Sequence, residues 1–158
     1  MFRELLRKNK QIPYKECVAL LKEEKRGVLS VIGDGDYPYG MPMNHFYNEN
    51  DGNIYFHCGR MGHRIDSLKR KDKASFCVYD GGYRDEGDWA LNIKSVIVFG
   101  RVEIIDDMET IIDITRQLSY KFTQDDEYIE KEIAQSSANT LLLRLVPEHI
   151  CGKSVKEA

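Results

Sequence analysis

The sequence from residue 53 to residue 73 reads NIYFHCGRMGHRIDSLKRKDK, and its pattern changes from strand to helix at the two glycines. Residues 54–56 are β-branched or aromatic, follow an Asp-Gly turn and stop before Gly59, which is typical of a short strand. An apolar stripe at i, i+4 and i+7 follows, made by Met61, Ile65 and Leu68. That spacing predicts a helix directly after the strand.

The turn between this strand and helix has the composition of an anion site. Gly59 and Gly62 allow the backbone to approach a ligand closely, and the first N–H groups of a helix lack internal partners. Arg60, His63 and Arg64 add positive charge at the positive end of the helix dipole, where a phosphate binds well. The alternative is an ordinary connection with solvated basic residues, since the glycine spacing matches neither the Walker nor the dinucleotide fingerprint.

Length and composition bound the remaining possibilities. A chain of 158 residues with 42% hydrophobic content can build one core but not two ordinary domains, so we expect a single domain over 1–158. The net charge of −3 comes from interspersed charges and argues against nucleic-acid binding. No apolar run has the length of a signal peptide or a membrane span, which predicts a cytoplasmic protein. The four cysteines form no CxxC pair, so no metal site is expected.

The other elements follow from periodicity and turn residues. Helices are predicted after Pro13, after Asp106 with a capping box to Glu109, and from Asp125 onward. The further strands are predicted at 28–32, 37–47, 74–79, 92–105 and 141–146, followed by a tail over 147–158. Six strands joined mainly by hairpins predict a mainly β or α+β fold, a small antiparallel barrel with peripheral helices.

Two of these strands carry further information. The strand over 37–47 contains Pro38 and Pro42, which exclude a central position and predict backbone that is exposed or faces a ligand. Free N–H and C=O groups there can meet a planar heterocycle, although an edge strand protected by proline is the alternative. The long strand is apolar on both faces over 96–99, so it is central or lies at an interface.

Six blocks of the sequence occur together. They are GVLS at 27–30, YPYGMPMN at 37–44, IYFHC at 54–58, GHRIDSL at 62–68, SVIVFGR at 95–101 and GKS at 152–154. In this order and spacing they resemble the flavin-binding split barrels related to pyridoxamine 5′-phosphate oxidase, and within them the branch of nitroimidazole-resistance proteins. The resemblance covers nearly the whole domain, from about Gly27 to Lys153.

The resemblance implies a six-stranded antiparallel split β-barrel that forms a homodimer with FMN at the subunit interface. The cofactor-binding residues that it implies are Met41, Pro42, Met43, Asn44, Phe56, His57, Cys58, Arg60, Met61, Gly62, His63, Arg64 and Ser95. Of these, Met41, Met43 and Asn44 would lie along the flavin ring. Phe56 and His57 would line the ring from the next strand, and Arg60, His63 and Arg64 would hold the phosphate. Relatives often carry lysine at position 64, and arginine keeps the charge. Ser95 would donate a hydrogen bond near the flavin, although a serine paired to backbone is the alternative.

His57 is the candidate catalytic residue. A histidine can donate a proton near neutral pH as an acceptor takes up electrons. The alternative is a histidine that backbone groups satisfy, or one that only packs against the flavin.

These features predict an FMN-dependent oxidoreductase that passes electrons from a reduced nicotinamide or another donor to a small planar acceptor such as a nitroimidazole. One alternative is a flavin-binding or sensor protein without efficient turnover, and another is a groove that is only a dimer seam. A pyridoxamine phosphate oxidase is a minor alternative. Residues 144–147 superficially match the closing motif of those enzymes, but eleven residues still follow the proline here.

Overall fold

A seven-stranded antiparallel sheet organises the computed structural model, which describes residues 1–157. The strands are β1 (Arg26–Ile32), β2 (Pro38–Asn44), β3 (Phe46–Asn48), β4 (Asn53–Gly59), β5 (Lys73–Tyr79), β6 (Leu91–Ile105) and β7 (Thr140–Glu157). The helices are α1 (Tyr14–Glu23), α2 (His63–Arg70), α3 (Met108–Ser119) and α4 (Asp126–Ser136). None of the helices in this range is long and apolar enough to cross a membrane.

The strand order β2-β1-β5-β6-β7-β4-β3 leaves β2 and β4 without a shared ladder, although β2 lies against β4. The curled sheet is therefore a barrel that is split between these two strands. The predicted class, a mainly antiparallel split barrel with peripheral helices, is confirmed. The predicted count of six strands is wrong by one, because the expected strand over 37–47 is two strands.

His45 interrupts that strand. Its side chain is fully buried, and its Nε2 donates a hydrogen bond to the carbonyl oxygen of Leu21 at 2.7 Å. Its backbone N–H donates to the carbonyl of Lys25 at 3.4 Å, outside the ladder. β2 therefore ends at Asn44, and β3 starts at Phe46 and pairs with β4 instead.

The expected tail over 147–158 is also wrong for the part that the structure describes, since β7 continues to Glu157 and pairs with β6 along its length. Phe99 pairs with His149 and Gly100 with Pro147, so the chain bulges at Glu148. A bulge accommodates proline because it needs no ladder donor at that point. A Cβ at position 100 would lie 2.1 Å from the carbonyl oxygen of Val146, so this close approach requires glycine.

Alternation along the strands separates the core from the outer surface. One face of the sheet and helix α1 enclose the main core, which includes Leu21, Leu29, Met41, Met43, Phe56, Phe76, Val96, Val98 and Leu143. On the opposite face of β4 and β7, helix α3 packs against Tyr55 and Leu142 through Ile111 and Ile114. This second cluster places α3 and α4 beside the split.

The outer face of β1, β5 and β6 is apolar and largely uncovered. Val28, Ile97 and Phe99 expose 37%, 38% and 38% of their surface. Val96 and Val98 on β6 are fully buried on the inner face, which confirms that this strand is apolar on both sides.

One helix start differs from its prediction. The N-cap of α3 is Asp107, whose carboxylate accepts a hydrogen bond from the backbone N–H of Thr110 at 2.9 Å. The predicted capping box from Asp106 to Glu109 is wrong by one residue, because Asp106 is engaged by Arg60 instead.

Candidate functional site

The split between β2 and β4 ends at the turn that leads into α2. Gly62 is the N-cap of this helix with φ of 120°, a conformation that favours glycine. A Cβ at Gly59 or at Gly62 would meet no atom within 4 Å, so the backbone on this side is open to a ligand. A cavity of about 160 Å³ lies here, bordered by Tyr39, Gly59, Met61, Gly62, His63 and Arg64.

Arg64 is the basic side chain that reaches across the split. Its Nε donates to the sulfur of Met41 on β2 at 3.0 Å, while it also contacts the thiol of Cys58 on β4. Burial raises the pKa of that thiol, and the charge of Arg64 opposes the shift. No carboxylate within residues 1–157 pairs with Arg64, so its guanidinium can still bind an anion.

Arg60 is engaged by the protein itself. Its guanidinium forms an ion pair with the carboxylate of Asp106 and donates to the carbonyl oxygens of Ala138 at 3.4 Å and Thr140 at 3.2 Å. These contacts fasten the turn to the start of β7. Arg60 therefore shapes the turn, and its donors are already largely occupied.

His63 contacts the turn between β1 and β2. Its ring stacks on Tyr39 with centroids 4.3 Å apart and an interplanar angle of 13°. The backbone N–H of Asp34 donates to its Nε2 at 3.3 Å, and the Asp34 carboxylate lies 3.6 Å away. The ring thus connects the first turn of α2 to β2.

The side chains along the split alternate between the core and the outside, as strand geometry requires. The side chains of Met41, Met43, Phe56 and Cys58 are buried in the core. Pro42, Asn44 and His57 lie on the other face. Within the described chain β3 pairs only with residues 53–55 of β4, so residues 56–59 have one free backbone edge beside the split.

His57 lies on the outer face of β4, and with Asn44 of β2 it borders a cavity of about 270 Å³ beneath α3 and α4. Its side chain is exposed, yet the surrounding protein displaces enough water to lower the pKa of the ring, and the charge of Arg64 adds to that shift. The neutral imidazole therefore dominates at neutral pH. It can act as a hydrogen-bond donor and acceptor, and its protonated fraction increases in mild acid.

Two predicted residues lie apart from this group. Ser95 is on β6, between Tyr79 and Lys153 in the sheet register. One strand, β7, separates it from β4, and two strands, β5 and β1, separate it from β2. Met61 precedes α2 and is 90% exposed, so the predicted apolar stripe of this helix is limited to Ile65 and Leu68. One copy of the chain does not bring Ser95 to Arg64.

Sequence reasoning missed the contribution of α3 and α4, which it treated as peripheral helices. Thr115, Phe122 and Glu132 line the cavity opposite His57. A signal was available in α3, where hydroxyl groups at Thr115 and Ser119 flank an otherwise apolar stripe at helical spacing.

Comparisons with known proteins agree with the fold. The sequence model of one protein family, described as pyridoxamine 5′-phosphate oxidase, matches residues 13–154. A search of curated proteins gave no match.

Solved structures share the fold at low sequence identity. A candidate 5-nitroimidazole antibiotic resistance protein from Bacteroides thetaiotaomicron is 19% identical with a TM-score of 0.77, and the match covers 93% of this chain and 87% of that one. The conserved hypothetical protein Rv2991 from Mycobacterium tuberculosis is 19% identical with a TM-score of 0.79, covering 97% and 90%. An FAD-binding protein from Mesorhizobium loti is 22% identical with a TM-score of 0.66, covering 92% and 97%.

Proposed function

The chain belongs to the pyridoxamine 5′-phosphate oxidase family, and from that premise we propose that it is an oxidoreductase that binds FMN at the split between β2 and β4. The observation that carries this proposal is the position of Arg64. Its guanidinium lies between Met41 and Cys58 with no carboxylate partner in the described chain, beside a turn that is open at both glycines. An unpaired cation at such a turn suits a phosphate group.

The residues present fit this cofactor. One guanidinium and one helix N-terminus suit a single phosphate, which favours FMN over a dinucleotide. The free backbone edges of β2 and of residues 56–59 offer donors and acceptors to the edge of a planar ring. Arg60 and His63 would support the phosphate site indirectly, because their contacts with Asp106 and Tyr39 hold the turn in place.

Bound FMN would supply two-electron transfer, and the protein would supply orientation, hydrogen bonds and exclusion of water. His57 would hold a proton on its ring at the border of the split and the larger cavity. A neutral ring there can donate a hydrogen bond to an acceptor, and a protonated ring can transfer a proton to it. We propose a reduced nicotinamide as donor and a small planar molecule such as a nitroimidazole as acceptor.

A homodimer is part of this proposal. The apolar outer face with Val28, Ile97 and Phe99 is the surface that a second copy would cover. Ser95 lies on the same outer face. It would contact the cofactor only if two copies of the chain together form one groove, in which the outer face of one copy meets the split of the other.

The test is the flavin content of the purified protein, followed by anaerobic reduction with a nicotinamide donor and reoxidation by a nitroimidazole. We expect a yellow protein that releases FMN on heating and completes both half-reactions. A colourless protein that fails to take up added FMN would contradict the proposal. Bound FMN that accepts no electrons would favour the alternative of a flavin carrier or sensor.

A further inference from the structure

The cavity beneath α3 and α4, called here the α3–α4 cavity, has a chemical character distinct from that of the phosphate turn. Its walls are mainly apolar and come from Leu118 of α3, Phe122 just after that helix, and Ile129 and Ile133 of α4. Asn44 and His57 close it on the side of the sheet. The cavity therefore adjoins the split at Asn44 and His57, and a ligand inside it would lie against His57.

Charge is distributed unevenly around this cavity. Its lining contains no lysine or arginine, and its only carboxylate is that of Glu132. Glu132 is exposed at the border of the cavity and forms no ion pair within residues 1–157, so its charge is available to a ligand. A carboxylate at this position would repel carboxylates and phosphates and attract cations, although solvent screens part of its charge.

Size limits the ligand as well. A volume of about 270 Å³ lies at the lower limit of drug-sized pockets, which span roughly 300–1,000 Å³. A single aromatic ring with one or two substituents fits such a space, whereas a dinucleotide does not.

One polar side chain of the lining is free to meet a ligand. The amide of Asn44 is half-buried and makes no hydrogen bond within residues 1–157, so it can donate to or accept from a ligand in the cavity. The hydroxyl of Thr115 also lacks a partner in the described chain, but its oxygen is fully buried in the wall.

We propose that the α3–α4 cavity is the acceptor site, that it takes a single aromatic ring that is neutral or cationic, and that Glu132 excludes anionic ligands. This inference rests on the proposed function, because the cavity serves electron transfer only if the flavin occupies the adjoining split. A phosphorylated acceptor such as pyridoxamine 5′-phosphate is disfavoured by the same charge.

A matched series of redox-inert ligands tests the charge preference directly. Benzamidine, benzamide and benzoate have nearly the same shape and differ in charge. Titration calorimetry on the FMN-saturated protein should give benzamidine an affinity at least roughly tenfold above that of benzoate, the size of one charge-assisted contact. Equal affinities for the three ligands would overturn the proposal.

Substitutions of Glu132 test whether this residue causes the charge preference. Glu132→Gln should remove the preference for benzamidine, and Glu132→Lys should invert it in favour of benzoate. Glu127 is a matched control on the same helix, because it is exposed like Glu132 but lies outside the cavity lining. An unchanged preference in Glu132→Lys would overturn the assignment of this residue.

A second variant tests whether these ligands bind in the α3–α4 cavity. Ser136 lines the cavity at the end of α4, whereas the neighbouring Gln135 is exposed and does not. Ser136→Phe should weaken benzamide binding by roughly tenfold with normal FMN content, while Gln135→Phe should leave both unchanged. Loss of FMN in Ser136→Phe alone would overturn the proposal, because the cavity would then hold part of the flavin.

The proposed function fails in a different way. If the unaltered chain bound no FMN, that result would contradict the proposed function. The three ligands can then be titrated into the flavin-free protein, and this titration still decides the charge preference of the cavity.

Discussion

Arg64 is the single side chain on which the proposed phosphate site depends most directly. Replacing it with glutamate places a carboxylate where a phosphate dianion is expected, in a split that already excludes part of the solvent. Each charge-assisted hydrogen bond there is worth roughly 1.5–3 kcal/mol, so we expect Arg64→Glu to lower FMN affinity by at least about a hundredfold. Fluorescence titration with FMN measures this change.

Lys69 provides the control for this prediction. It is exposed on the same helix and lies outside the split, so Lys69→Glu makes the same charge change at a distance. Near-normal affinity in Arg64→Glu would contradict the assignment and move the phosphate toward Arg60 and His63.

We expect acceptor turnover to depend on pH through His57. Its pKa in the folded protein lies below the ordinary value, because the surrounding protein displaces water from the ring and because Arg64 is charged. If the protonated ring donates to the acceptor, acceptor turnover should rise as the pH falls toward this lowered pKa. His57→Ala should lower turnover by roughly a hundredfold or more and remove the pH dependence, with flavin content measured separately. Unchanged turnover would exclude acid–base catalysis by this residue, and a parallel loss of flavin would make it a cofactor ligand.

His45 links stability to pH. Burial, with a smaller contribution from the charge of Lys121, lowers its pKa to about 3 in the folded protein. The unfolded chain binds a proton near pH 6.5, so the free energy of unfolding should fall as the pH drops from about 6.5 toward 3. At pH 4.5 the loss from this residue is roughly 2–3 kcal/mol. Urea denaturation at pH 7 and pH 4.5 should show this loss in the unaltered chain, and a smaller one in His45→Gln.

At the level of elements, the segment after α3 is tied to the sheet by one buried lysine. The ammonium group of Lys121 donates to the carbonyl oxygens of Glu24 at 2.6 Å and His45 at 2.9 Å. Burial is the main reason that its pKa falls to about 8. This contact joins the end of α3 to the places where β1 begins and β2 ends, and so helps to position the wall of the α3–α4 cavity.

Lys121→Met should therefore destabilise the protein. Two carbonyls lose their donor, at roughly 1–3 kcal/mol each, while removal of a partly desolvated charge offsets part of that loss. We expect a net decrease of about 1–3 kcal/mol in the free energy of unfolding. Lys25→Met is the control, because this exposed lysine lies over the ring of Phe122 at 5.5 Å and should change stability by less than about 1 kcal/mol. Equal effects of the two substitutions would contradict the anchoring role of Lys121.

At the level of the whole molecule, the apolar outer face predicts association. Phe2 stacks on the ring of His149 with centroids 5.0 Å apart, and Phe2 and Phe99 also stack at 5.6 Å. Even with Phe2 in this position, Val28, Ile97 and Phe99 remain more than a third exposed. Contiguous apolar surface of this kind is characteristic of protein interfaces.

We expect Ile97→Glu to convert a dimer into a monomer and to weaken FMN binding, because a carboxylate at the centre of an apolar interface is left without a partner. Sedimentation velocity with and without FMN measures both effects. Met108→Glu is the control, since Met108 is similarly exposed at the start of α3, away from this face. A stable, flavin-loaded monomer of the unaltered chain would contradict the dimer.

The sequence by itself determined the features that depend on local pattern. Alternation and turn residues predict an antiparallel sheet, and apolar residues on both faces of β6 predict its buried inner face and apolar outer face. The predicted start of the last helix at Asp125 is confirmed, since the carboxylate of Asp125 caps α4 by accepting a hydrogen bond from the backbone N–H of Tyr128. The strand, turn and helix over 53–73 also occur as predicted, because strand and helix periodicity are set within a few residues.

Only the tertiary structure decided which neighbours these elements have. The break at His45 depends on a carbonyl of α1, and the continuation of β7 beyond Pro147 depends on a glycine in β6. Three basic residues at one turn look equivalent in sequence, yet Arg60 meets a carboxylate 46 residues away, while Arg64 reaches across the split. The α3–α4 cavity likewise forms from segments that are distant along the chain, and their contacts are set by packing between elements rather than by local pattern.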